Sequence, residues 1–106
     1  MTDKIVVFSA CDSEEEAEKI ARLLIETKLA ACVNVFKGVH SFYRWKGAIQ
    51  NTAEWLLIIK SSRTHFEALR AEIEKVHSYD VPELIAMPIV DGSKNYLSWL
   101  ENELRD

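Results

Sequence analysis

At 106 residues with 48% apolar side chains, the chain has the length and composition of one globular domain, residues 1–106, with no low-complexity tract. Lys plus Arg total 13 against 17 Asp plus Glu, a net charge of −4 that argues against nucleic acid or anionic membrane as partners. No apolar run approaches the ~20 residues a membrane span needs, and Ile5–Cys11 passes into Asp12-Ser13-Glu14-Glu15-Glu16 without a cleavage pattern, so a cytoplasmic location is expected.

Lys4–Cys11 reads as a first strand, its Ile5-Val6-Val7-Phe8 run suited to a central position or to cover on both faces. Ser13 with Glu16 is a capping box, and Glu14 and Glu15 complement the helix dipole. Ala17, Ile20, Ala21, Leu24 and Ile25 then form one apolar stripe of a helix ending near Lys28. From Ala30 to Tyr43 the period becomes two, with Val33 and Val35 alternating against Cys32, Asn34 and Phe36, and Gly38 marks a bulge or bend.

Lys46-Gly47 is a turn, and a second extended segment follows through Ile59-Lys60, with Asn51-Thr52 a local interruption. Thr64 with Glu67 reads as a second capping box, opening a helix whose stripe is Phe66, Leu69, Ile73 and Val76. Ser78, Asp80 and Pro82 end it. Leu84–Val90 is the last strand, with Pro88 placing it toward a sheet edge. Asp91-Gly92 leads into a short helix capped by Ser93, with Tyr96, Leu100 and Leu104 along one side.

The order predicts an α+β fold, a ferredoxin-like βαββαβ antiparallel sheet with two helices on one face and a C-terminal helix. Each hairpin arm runs past the ~5–6 residues usual for a strand. Such arms overhang the sheet and leave backbone edges beside Phe42, Tyr43 and Trp45, which pairing with another copy of the chain would cover.

Catalytic signatures are absent: there is no G-x-G-x-x-G, no phosphate-loop lysine, no G-x-S-x-G and no H-E-x-x-H, so no enzyme is expected. The soft and borderline metal ligands are Cys11, Cys32, His40, His65 and His77, none at a chelating spacing, so a site must be assembled in three dimensions or across subunits. Cys32 reads as a small core hydrophobe or as a ligand. Cys11 closes a strand just before a helix N-terminus, where a lowered thiol pKa is expected. His65, beside a cap, reads as exposed. His77 opens the polar, aromatic stretch His77-Ser78-Tyr79-Asp80-Val81-Pro82-Glu83 and is either a complement to a helix C-terminus or a binding residue.

Ser13-Glu14-Glu15-Glu16-Ala17, Lys28-Leu29-Ala30-Ala31-Cys32-Val33-Asn34, Ser41-Phe42-Tyr43-Arg44-Trp45-Lys46-Gly47, Glu54, Ile59-Lys60, His77, Tyr79, Val81-Pro82-Glu83, Pro88-Ile89 and Tyr96-Leu97-Ser98-Trp99 together resemble the CutA divalent-cation tolerance family over nearly the whole chain. The resemblance implies a homotrimer with PII-like architecture and a copper or other divalent cation as the bound metal. It nominates His77, Cys32 and Cys11 as metal ligands, although Ser9 stands where some members carry a cysteine and Val76-His77 replaces a histidine pair. It also implies an inter-subunit ligand cleft near Trp45, Glu54, Lys60, Tyr79 and Glu83. Two functions follow: a cytoplasmic copper-binding trimer acting in the response to metal ions, or a PII-like sensor whose cleft takes a small anionic metabolite beside Lys60. A trimer that scaffolds another protein is the third.

Overall fold

The apolar run at the start of the chain forms β1 (Lys4–Cys11), and it lies inside the sheet as its composition predicts. The structure, a computed structural model, describes residues 2–106. Four antiparallel strands stand in the order β2-β3-β1-β4, with β2 spanning Cys32–Trp45, β3 Ala48–Ser62 and β4 Ile85–Pro88. With α1 (Glu14–Glu26) and α2 (Phe66–Val76) as crossovers, this is the expected split βαβ arrangement.

Register fixes which side chains share a face. β1 pairs β3 from Lys4↔Ser62 to Cys11↔Trp55, so Ile5, Val7, Ser9 and Cys11 lie on one face with Leu57, Ile59 and Ser61. Ala17, Ile20 and Leu24 of α1 and Leu69 and Ile73 of α2 pack there, all fully buried. Each large aliphatic side chain so buried contributes about 1.5–3 kcal/mol. Ser9 is the exception within this core. Its hydroxyl is buried with no hydrogen-bond partner among the described residues. Ser9→Ala is therefore expected to raise stability by about 1 kcal/mol in chemical denaturation, and an unchanged or lower midpoint would show that the hydroxyl is satisfied.

The first capping box forms by half. Ser13 Oγ accepts from the Glu16 N–H at 3.1 Å, but the Glu16 carboxylate accepts from Ser78 N–H and Oγ–H, each at 3.2 Å. Ser13→Ala is expected to cost about 0.5–2 kcal/mol by the same measurement. The helix closes at Thr27, and Lys28 takes φ 59 so that Leu29 and Ala30 can both donate to Leu24 O.

The second box does not form. Arg63–His65 make a 3₁₀ turn and α2 starts at Phe66, so Thr64 sits one residue too early to cap it. Thr64 Oγ1 bonds Ser62 Oγ at 3.1 Å instead. His65 is not simply exposed: its ring bonds Ser62 Oγ through Nδ1 and Arg105 O through Nε2, both at 2.6 Å.

Gly38, at φ 84, bulges β2 where the register shifts between Phe36 and Val39, as its type predicts. Lys46 and Gly47 both take positive φ, giving the two-residue hairpin turn that matches strand twist. Asn51-Thr52 interrupts nothing. Both residues pair across the ladder, with Phe42 and Ser41, and Thr52 Oγ1 meets Tyr43 OH at 2.9 Å. β4 is shorter than Leu84–Val90 and occupies the outer edge beside β1, where Pro88 ends the strand.

α3 (Lys94–Glu103) covers part of the opposite sheet face, burying Leu100 and, just beyond it, Leu104. Lys4 points to that face and pairs with Asp3 and Glu101. Burial alone would lower the Lys4 pKa, but the hydrogen bonds to these two carboxylates raise it. Ser93 occupies the N-cap by backbone conformation, yet its side chain makes no cap bond.

β3 outruns its neighbour. Its pairing with β1 stops at Trp55, so Val39–Trp45 and Ala48–Glu54 continue as a two-stranded ribbon with no further strand beside it among the described residues. The ribbon draws the molecule out to 45 Å along one axis against 25 and 23 Å on the others.

Candidate functional site

Where the ribbon leaves the sheet, it and the loop after α2 wall a cavity of about 600 Å³. The ribbon supplies its side by simple alternation. Ser41, Tyr43 and Trp45 occupy every second position of β2, and their cross-strand register places them on the face of Glu54. Tyr79, Asp80, Val81 and Glu83 close the other side from the loop.

Glu54 is the floor. It is only 6% exposed, and Tyr79 donates its phenolic proton to Glu54 Oε2 at 2.7 Å. Burial, then the hydrogen bond to Glu54 and its charge, push the Tyr79 pKa far up, so the phenol stays a donor throughout the neutral range.

His77 positions Tyr79. Tyr79 N–H donates to His77 Nδ1 at 3.0 Å, the rings lie 4.8 Å apart, and His77 Nε2–H donates to Ala10 O at 2.8 Å. β4 pairs β1 only as far as Phe8, so the Ala10 carbonyl lies beyond that ladder and the imidazole satisfies it. Glu16 lies 3.5 Å from Nδ1, but that nitrogen's lone pair is already taken by the Tyr79 amide, so the contact is not an ion pair. Through Ser78, Glu16 instead anchors the loop to the start of α1.

The three sequence-nominated metal ligands do not converge. The His77 side chain is wholly buried with both ring nitrogens engaged. Cys11 is also fully buried, on the helix-covered face, with Sγ donating to Ser13 O at 3.4 Å. Burial pushes its pKa up to about 11, outweighing the lowering hydrogen bond to Ser13, the reverse of the shift its position before a helix predicts. Cys32 lies opposite Lys60 on the other face, half-buried, its sulphur 3.9 Å from Asn34 Oδ1. Among the described residues no three His, Cys, Asp or Glu side chains gather as a metal site. A thiol reagent at pH 8 is accordingly expected to reach Cys11 only as fast as the protein unfolds, and rapid native labelling of Cys11 would contradict that burial.

Of the five cleft residues nominated from the sequence, Trp45, Glu54, Tyr79 and Glu83 line the cavity and Lys60 does not. Lys60 stands six residues beyond Glu54 along β3, about 20 Å away at ~3.3 Å per residue, and bonds Asn34. The sequence also left Tyr43 and Asp80 unassigned to the cleft. The two-residue spacing of Ser41, Tyr43 and Trp45 was the available signal for the first; nothing local marked the second.

These features define a class: a small α+β protein whose overlong hairpin and second crossover loop enclose an acidic, aromatic cleft. The profile of the CutA1 divalent ion tolerance protein family matches residues 5–103. The chain is 43% identical to the divalent-cation tolerance protein CutA of Thermus thermophilus, covering 90% of this chain and 92% of that one. It is 44% identical to the chloroplastic protein CutA of Arabidopsis thaliana over 96% of its own length, while spanning 56% of the length of that relative. It superposes on the solved divalent cation tolerance protein of Thermus thermophilus with a TM-score of 0.94 at 40% identity, covering 96% and 99% of the two chains. The chain belongs to the CutA1 divalent ion tolerance family.

Proposed function

We propose that the chain works as a cytoplasmic homotrimer with PII-like architecture, a binding protein without catalytic turnover that acts in divalent-cation tolerance. The observation that carries this reading is the unsupported ribbon. Two strands alone are marginal in water, yet here they carry Phe42 at 68% and Ile49 at 71% exposure. The two free edges of the sheet, β2 and β4, differ in length and lie on opposite sides, so pairing one with the other is head-to-tail, an arrangement that gives a ring where the rotation closes. Three is the number the family resemblance implies.

Two free thiols on opposite faces suit a reducing compartment. Copper enters this reading as cargo of the trimer. His77 and Cys11 do not fit it, and Cys32 is the soft donor left within reach. Within one chain Lys60 lies outside the cleft, so the same copy does not supply there the base that an anionic-metabolite sensor would need.

Sedimentation equilibrium at micromolar concentration is expected to return three times the chain mass. A stable monomer would overturn the assembly. Cu(I) titration under reducing conditions is expected to lose its signal in Cys32→Ser and keep it in His77→Ala.

A further inference from the structure

We propose that the cleft takes an organic cation, the ammonium or guanidinium head of an amine, seated on Glu54 between the rings of Tyr43 and Trp45. This rests on the binding role proposed above and names the guest.

Glu54 presents a charge that lacks a counter-charge. Its Oε2 is held by Tyr79, its other oxygen has no hydrogen-bond partner, and no Lys, Arg or His forms an ion pair with it among the described residues. That second oxygen is not sealed off in the interior, and a positive group in the cavity could pair with it. The cavity in front of it has room for a small molecule. Its walls are aromatic, and ring faces attract weakly hydrated cations. Asp80 and Glu83 add negative charge, and the lining contains no Lys or Arg, so an anion would meet three carboxylates and no base. A bare metal ion finds too few donors, since no metal-holding group of three is present among the described residues.

The same head could arrive on a free amine or on a basic side chain of a second copy, where Arg44 and Lys46 stand at the ribbon tip. One experiment separates these sources. n-Butylammonium is titrated into the native protein at constant ionic strength, and the Trp45 indole resonance is followed by NMR. n-Butyrate, with the same carbon chain and the opposite charge, serves as the control. Butylammonium is expected to bind at least about tenfold more tightly than butyrate, and Glu54→Gln to weaken it at least about tenfold. Trp45→Phe, which keeps an aromatic wall and is followed through the Tyr43 and Tyr79 ring resonances, should weaken it by a smaller factor.

If a neighbouring copy fills the cleft, wild type will show no shift, and Arg44→Ala or Lys46→Ala will open the site to the probe. Equal binding of butyrate, binding indifferent to Glu54→Gln, or silence in wild type and both basic variants would each overturn the proposal. So would displacement of the probe by Mn²⁺ in a Glu54-dependent manner, which would assign the site to a metal. Sedimentation of the same samples keeps the tests apart: an intact trimer whose cleft stays unresponsive in wild type and in both basic variants defeats the cation and leaves the assembly standing.

Discussion

His77→Ala is expected to lower stability by about 2–4 kcal/mol while leaving the proposed copper binding unchanged. The truncation strips the Ala10 carbonyl and the Tyr79 amide of their partner together. A buried group left unpaired costs about 1–3 kcal/mol, and water entering the vacated space recovers part of that, so the two losses do not add fully. The ring is also wholly buried, so its removal leaves a cavity under Tyr79. His77→Gln, which carries both a donor and an acceptor, should recover part of the loss. Urea denaturation must be run at one fixed protein concentration, because assembly and folding are linked by mass action. A stable His77→Ala protein that no longer binds copper would reverse the assignment and make His77 a ligand.

Local physics carried the fold a long way. The apolar run of β1, the stripe of α1, the Gly38 bulge and the Pro88 edge each follow from chemistry within a few residues, and each lies where that chemistry puts it. Two readings failed, one to a partner distant in sequence and one to a competing local turn. Glu16 has the type and spacing of a capping residue, but Ser78, 62 positions away, takes its carboxylate. Thr64 and Glu67 have the spacing of a second box, yet a 3₁₀ turn moves the helix start past the threonine.

The site was legible by type more than by place. Trp45, Glu54, Tyr79 and Glu83 meet because a loop folds back onto a ribbon, while Lys60, on the same strand and the same face as Glu54, is carried out of reach by strand rise alone. The Cys11 thiol shows the same limit. Its neighbours in sequence predict a lowered pKa, and the helices packed over it from elsewhere in the chain raise it.

Trp45→Asp is expected to convert the proposed trimer to monomer at micromolar concentration, an effect far larger than that of Glu18→Lys on the wet face of α1. Trp45 closes the ribbon opposite Ala48, and with 40% of its surface exposed it lines the cleft and still offers area to a neighbour. Half-exposed aromatic anchors of this kind dominate association, with truncation costing about 2 kcal/mol or more. Aspartate adds a second penalty, because it brings a fourth negative charge beside Glu54, Asp80 and Glu83 and would have to be desolvated as copies meet. Three such sites around a ring multiply the loss, so the association constant for the whole assembly falls as the product of the individual costs. Sedimentation velocity resolves the two species, and circular dichroism confirms that the dissociated chain retains its helices. Trp45→Asp sedimenting with wild type would show that the ribbon tip lies outside the interface, and cover for Phe42 and Ile49 would have to be sought further down β2 and β3.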